Sequence, residues 1–177
     1  MNNLDKISIS SVDSITLDYV LKHCDNDNWM DGEVATSRYS SNLGSDINKD
    51  IRNVYVSSMD PELNAMLSQY VDSAVKEYSQ KNNISITQNV GYSLSKYSEG
   101  QFFAEHTDST KEFPRKVSAL LYLNDDYQGG TITFTKINKS FKPKANTLFI
   151  FPSTEDFRHS ADPVISGTKY VIVGFWS

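Results

Sequence analysis

The sequence is short of cysteine, of excess positive charge and of long apolar runs, and each shortage removes a class of function. Cys24 is the only cysteine in 177 residues, so no intramolecular disulfide can form, which fits a reducing compartment. Lysine and arginine number 17 against 22 aspartates and glutamates, for a net charge of -5. No basic stripe is visible, so a nucleic-acid partner held through its phosphates is not expected. No apolar run approaches the ~20 residues that a membrane-spanning helix needs. The start, Met1-Asn2-Asn3-Leu4-Asp5, has neither the basic nor the apolar region of a signal peptide. The expectations are therefore no membrane partner and a cytoplasmic location. Internal repeats and low-complexity tracts are missing as well.

What is present is an ordinary globular composition, 38% hydrophobic and 22% charged, at a length suited to one domain with one sizeable core. The expectation is a single domain over 1–177, with 1–83 as helical support and lid loop and 84–177 as a strand-rich core. Leu17, Val20, Leu21 and Cys24 share one face of a helix predicted over Ser14 to Cys24, with Cys24 packed inward. Asp25 to Asn53 is polar throughout and predicts a long loop with a short strand near Glu33 to Arg38. Its length makes it a candidate lid.

Asp60-Pro61-Glu62 supplies a capping carboxylate, a proline at the first helical position and an acid in the first turn. Leu63, Met66, Leu67, Tyr70, Val71, Ala74, Val75 and Tyr78 then recur at helical spacing up to Asn82-Asn83. After Ile84 the pattern changes. Strands are predicted at Val90 to Tyr97, Gln101 to Asp108, Val117 to Leu123, Thr131 to Ile137, Thr147 to Phe151 and Lys169 to Trp176, separated by turn residues. This predicts a mainly β fold, a jelly roll whose N-terminal helices pack on one sheet.

Histidine is also scarce: His23, His106 and His159 are the full set. Two of the three fall in a pattern. In a strand, alternate side chains share a face, so His106 and Asp108 can chelate one ion, with His159 arriving from a distant strand or loop. Two histidines and one carboxylate occupy one face of a non-haem Fe(II) and leave the other open. His23 is expected to meet solvent or a local partner. Lys169 opens a strand whose same-face neighbours, Val171, Val173 and Phe175, are all apolar. A lysine there either asks for an anion or snorkels to water.

The stretches that carry these residues are Lys96-Tyr97-Ser98-Glu99-Gly100-Gln101-Phe102-Phe103-Ala104-Glu105-His106-Thr107-Asp108, Ala119-Leu120-Leu121-Tyr122-Leu123-Asn124 and Tyr127-Gln128-Gly129-Gly130-Thr131-Ile132. They continue with Lys144-Ala145-Asn146-Thr147-Leu148-Phe149-Ile150-Phe151-Pro152, His159-Ser160-Ala161-Asp162-Pro163-Val164 and Gly167-Thr168-Lys169 through Trp176. In this order, over about half the chain, they resemble the Fe(II)- and 2-oxoglutarate-dependent dioxygenases, and in particular the prolyl-4-hydroxylase-like branch.

The resemblance implies that His106, Asp108 and His159 ligate iron and serve as the catalytic centre. It implies that Lys169 binds the distal carboxylate of 2-oxoglutarate, and that the hydroxyls of Tyr97 and Tyr122 approach that cosubstrate. Both tyrosines have core packing as the alternative; strand alternation groups Tyr122 with Leu120 and Ser118. Ile132 would line the cosubstrate pocket. Trp176 would border a peptide groove or belong to the core. Phe103 stands where many prolyl hydroxylases carry tyrosine. The implied cosubstrates are 2-oxoglutarate and O2, with ascorbate as a reductant. The implied reaction is hydroxylation of a C–H bond with release of succinate and CO2, on a prolyl residue of a peptide or protein or on a small molecule such as a free amino acid. Two other readings stand beside it. One is a non-catalytic metal-binding jelly-roll module. The other is a zinc hydrolase, whose natural base, Glu105, strand alternation turns away from His106.

Overall fold

The computed structural model describes residues 3–24, 28–35, 45–111 and 113–177. Two antiparallel sheets face each other, and helices cover the outer face of the larger one. The major sheet runs Ser8–Ser11, Thr147–Pro152, Val117–Tyr122, Lys169–Trp176, Asn89–Tyr97, Tyr55–Ser57, Met30–Asp31. The minor sheet runs Lys139–Phe141, Ile132–Phe134, His159–Ala161, Phe102–His106, Arg52–Asn53. This is the mainly β, jelly-roll arrangement with helical support that the strand pattern predicts.

Alternation along the major sheet divides the core in two. Val117, Ala119, Leu121, Leu148, Ile150, Ile172 and Trp176 face the helices and pack with Leu63, Leu67, Val71 and Val75. Leu120, Tyr122, Phe149, Phe151 and Val171 face the minor sheet and meet Ile132, Phe134 and Phe157. The strand Val117–Tyr122 is buried along its whole length, because both of its faces are covered. That is why its sequence reads as a nearly continuous apolar run rather than a clean alternation.

The helical support is not one regular helix. Asp60 caps it, its side chain accepting from Leu63 N, with Pro61 at the first position. The α-helix Pro61–Leu67 then passes into a π-helical turn, Ser68–Asp72, before the α-helix Ser73–Lys81. The buried residues Leu63, Leu67, Val71 and Val75 are four apart. In a pure α-helix that spacing overshoots a full turn by about 40° at each step, and the wider π turn brings the stripe back into line. Tyr70, expected in the stripe, is exposed as a consequence.

Other expectations are adjusted. The first helix is only Leu17–Lys22, capped by Thr16. Cys24 lies beyond it, half-buried, in an isolated bridge with Met59. The segment predicted as a loop from Asp25 contains four short strands among the described residues: Met30–Asp31, Val34–Ala35, Ser45–Asp46 and Arg52–Asn53. The lid expected over 25–53 falls in part on residues 25–27 and 36–44, outside the described residues. The strands Ser8–Ser11, Lys139–Phe141 and Val164–Ser166 were not predicted. Among the described residues no helix is long and apolar enough to cross a membrane.

Candidate metal centre

His106 ends the strand Phe102–His106, and His159 begins the strand His159–Ala161; the two stand directly opposite each other in the ladder. Asp108 is not on the strand, as strand alternation alone would have it, but just past its end. Thr107 donates through Oγ1, and Ser109 through its backbone N–H, to Ser153 O at 3.2 and 3.1 Å. These bonds pin the turn to the neighbouring strand end and aim Asp108 inward.

The three side chains converge. His106 Nε2 lies 3.4 Å from Asp108 Oδ1, and His159 Nε2 lies 3.8 Å from Asp108 Oδ2. One ligand atom from each residue lies within 4.8 Å of the others. Each imidazole donates its Nδ1–H to a backbone carbonyl, His106 to Ala104 O at 2.8 Å and His159 to Phe157 O at 3.0 Å. That fixes the tautomer and leaves both Nε2 lone pairs for a metal. Burial pushes His159 down to about 4, so it is neutral and able to ligate near pH 7. For Asp108 burial opposes ionisation, but the imidazoles and the Ser118 hydroxyl outweigh it and hold the carboxyl well below the usual carboxylate range. A neutral nitrogen pair and an ionised carboxylate are what a divalent ion of the Fe(II) type needs, so the donor set fits.

Ser118 donates to Asp108 Oδ2 at 2.6 Å and lies 2.7 Å from Ser153 Oγ. Sequence reading placed Ser118 on the Tyr122 face but gave it no role. The signal was available: it is the one small polar residue on an inner face otherwise built of Leu120 and Tyr122.

Lys169 is 1% exposed. Its Nζ donates to Gly130 O at 3.1 Å and sits 4.2 Å from the Tyr97 ring centroid. The Gly129-Gly130 pair makes this possible. Both residues have positive φ, and a Cβ on Gly129 would meet Pro163 O at 2.5 Å, so only glycine turns the chain here and presents that carbonyl. Burial, helped by nearby Lys142 and opposed by Asp162, pushes the lysine down to about 7. A buried lysine with one backbone acceptor and no ion pair among the described residues matches the anion-seeking alternative, not the snorkelling one.

The strand pairing sets Lys169 opposite Tyr97 and Val171 opposite Tyr122, so both tyrosines join the lysine. Burial pushes Tyr97 up to about 12 and Tyr122 well above the ordinary tyrosine value, so both hydroxyls remain proton donors. Ile132 is buried in the same cluster as Tyr122. Trp176 is placed elsewhere. It is buried on the helix-facing side against Tyr92, whose ring it meets edge-on at 5.8 Å. It lies seven residues from Lys169 on one strand, an odd spacing that puts it on the opposite face, so the groove position is corrected to a core position. His23 does have a local partner, Asp60 Oδ2 at 2.8 Å. Glu105 is exposed, hydrogen-bonded to Thr135 and paired with Arg158 at 3.4 Å; it offers no base to the centre, which removes the zinc-hydrolase reading.

Comparison with known proteins agrees with this geometry. Residues 92–177 match the model of the 2OG-Fe(II) oxygenase superfamily. A PKHD-type hydroxylase of Prochlorococcus marinus is 27% identical over 83% of this chain and 65% of its own length. Human prolyl 3-hydroxylase 2 is 37% identical over 35% of this chain and 9% of its own length. The chain thus spans less than two thirds of either relative. A Pseudomonas putida prolyl-4-hydroxylase structure superposes with a TM-score of 0.60 at 25% identity, covering 71% of this chain and 72% of that one.

Proposed function

Because residues 92–177 belong to the 2OG-Fe(II) oxygenase superfamily, we propose that this protein is an Fe(II)- and 2-oxoglutarate-dependent hydroxylase acting on a prolyl residue of a peptide or protein. The observation that carries the reading is the pairing of two features. One is the converging His106, Asp108 and His159 with both Nδ1 atoms committed to carbonyls. The other is Lys169, buried on the facing major sheet with no ion pair among the described residues. The prolyl substrate is supported by the relatives, two of which are prolyl hydroxylases.

In this mechanism His106 Nε2, His159 Nε2 and an Asp108 oxygen would hold the metal, and Ser118 keeps the carboxylate oriented through Oδ2. Bound Fe(II) supplies dioxygen activation coupled to oxidative decarboxylation of 2-oxoglutarate to succinate and CO2. Lys169 would receive the distal carboxylate of the cosubstrate. The charges then balance: one carboxylate and one dianion against a divalent ion and one ammonium. An unbalanced charge in so buried a site would be costly. Tyr122 and Tyr97, held protonated by burial, can donate to cosubstrate oxygens. Ile132, Phe149 and Val171 pack in the same buried cluster as Tyr122 and would keep water from a cosubstrate held there.

The test is an anaerobic absorption titration with Fe(II) and then 2-oxoglutarate, with Asp108→Ala and Lys169→Ala alongside. A weak visible charge-transfer band that needs both additions and weakens in the variants is expected, followed by hydroxylated product from a prolyl peptide once oxygen is admitted. A folded, iron-loaded protein with no band would sink the assignment.

A further inference from the structure

Two lysines hold the turn around Gly129-Gly130. The buried one, Lys169, donates from Nζ to Gly130 O at 3.1 Å. The exposed one, Lys142, donates from Nζ to Tyr127 O at 2.9 Å and to Gly129 O at 3.0 Å. Lys142 directly follows Lys139–Phe141, the edge strand of the minor sheet. Its ammonium also stands 3.1 Å from the Tyr127 ring centroid, and that ring packs on the turn, where a Cβ on Gly130 would meet it at 2.9 Å. A surface lysine ordinarily extends its ammonium into water. Lys142 instead folds back on two carbonyls and an aromatic ring. It has no ion pair among the described residues, and Asp125, a carboxylate whose field reaches it, pairs with Lys144 at 3.5 Å.

Of the charged groups around Lys169, Lys142 acts on it most strongly, ahead of Asp162. The other groups that face Lys169 keep one charge state near neutral pH. Burial holds Tyr97 and Tyr122 protonated. For Asp162 burial opposes ionisation, but bonds from Thr131, Thr133 and Ser160 outweigh it and keep the carboxyl below the usual range. Two ammonium groups set against one short turn, neither with a carboxylate partner, repel each other until an anion arrives. The partial solvation of Lys142 makes that arrangement tolerable in the empty site.

We propose that Lys142 is a positioning residue for the cosubstrate: it clamps the Tyr127–Gly130 turn on which Lys169 rests, and it lends a second positive charge to the end of the site that would take the distal carboxylate. This rests on the hydroxylase reading. Lys142 acts through Gly130 and through its field on Lys169, not by touching the cosubstrate. Its charge favours a dianion, and the same charge makes Lys169 give up its proton at lower pH than it would alone. Removing that charge should therefore weaken 2-oxoglutarate binding and move to higher pH the point where binding begins to fall.

The test is an anaerobic titration of the iron-loaded protein with 2-oxoglutarate, repeated from about pH 6 to about pH 8.5 and read by the charge-transfer band and by calorimetry. In the wild type the affinity should be flat at low pH and fall beyond a break at about 7, where Lys169 loses its proton in the empty site. Lys142→Met should bind about three- to tenfold more weakly below the break, and the break should move up by roughly half a unit, the scale of one ammonium's field across a partly solvated gap. Lys142→Arg keeps the charge and should keep the break at the wild-type position. Lys139→Met removes the same charge three residues earlier, on the edge strand, and should leave affinity and break unchanged. Iron affinity, from competition with a chelator, should be the same in all four proteins. A lysine that only braced the fold would lower affinity with the break unmoved. An unmoved break in Lys142→Met, a break that moves equally in Lys142→Arg, or a flat wild-type profile overturns the proposal. Should Lys142→Met not fold, Lys142→Gln is read by the same criteria. Failure of the hydroxylase reading looks different, because the charge-transfer band would then be missing from the wild type itself.

Discussion

The two faces of the major sheet are made from the same strands and do different work. On the strand Lys169–Trp176 the helix-facing positions Tyr170, Ile172 and Trp176 join an apolar layer. The inner positions Lys169, Val171 and Val173 lie against the minor sheet. On Val117–Tyr122 the division repeats: Val117, Ala119 and Leu121 outward to the helices, Ser118, Leu120 and Tyr122 inward. One face is mostly apolar packing, with Tyr78 and Tyr92 hydrogen-bonded at its margins to Lys6 O and Asp72. The other carries a few buried polar groups, among them Ser118 bonded to Asp108 and Lys169 bonded to Gly130 O. Stability and chemistry are thus separated by a single residue step along each strand.

The largest effect should come from breaking the two faces one at a time. Asp108→Ala removes a ligand and should abolish iron-dependent turnover. The melting temperature should change little or rise, because a buried carboxylate is lost together with its need for partners. Ile172→Ala should do the reverse, costing about 2–5 kcal/mol of stability as expected for a large-to-small change in a packed layer, with iron affinity near wild type in the folded fraction. Denaturant melts and iron titrations on both variants would check this. If Ile172→Ala weakened iron binding as strongly as Asp108→Ala, the separation of faces would be wrong.

A smaller effect sharpens the comparison inside the inner face. Ser118 touches Asp108 Oδ2, not the metal position, so Ser118→Ala should lower iron affinity by about 10–100-fold, the range for losing an outer partner of a ligand. Ala119→Ser, one step along and turned to the helices, should leave iron affinity unchanged while costing stability. Competition with a chromogenic chelator would measure both. Equal iron affinity in Ser118→Ala and wild type would show that the serine only fills space.

Much of this division was legible in the sequence, for a physical reason. Strand alternation is a strict period of two, so Lys169 with Val171 and Val173, or Tyr122 with Leu120 and Ser118, could be grouped without coordinates. The same rule decides Trp176: an odd number of residues from Lys169, it belongs to the helix face, which chooses between the groove and core positions that the resemblance left open. Other features were not legible. The π turn at Ser68–Asp72 arises from tertiary alignment of a four-residue stripe, and local propensity does not signal it. The short strands Met30–Asp31 and Arg52–Asn53 exist because the ends of the two sheets recruit them, not because their own residues favour extension.

The smallest effect is a pH slope, and it separates Lys169 from every apolar neighbour on its face. Burial puts the lysine at about 7 against an ordinary 10.5. A dianion bound beside it favours the ammonium and raises that value. Binding of 2-oxoglutarate should therefore take up a proton when the pH is above about 7, and its affinity should fall as pH rises from there, by at most tenfold per unit. Below about 7 the lysine is already charged and the slope should vanish. In the absence of cosubstrate the linkage runs the other way. The unfolded chain holds the proton up to about 10.5 and the folded protein only to about 7, so this group makes folding stability rise with pH across that window. Titration calorimetry in two buffers of different ionisation enthalpy would count the proton directly. Lys169→Arg, which stays charged throughout, should bind 2-oxoglutarate without the uptake. A wild-type affinity that is flat from pH 7 to 9 would mean that Lys169 is already charged in the empty site, and its single contact to Gly130 would then be insufficient to explain how the charge is held.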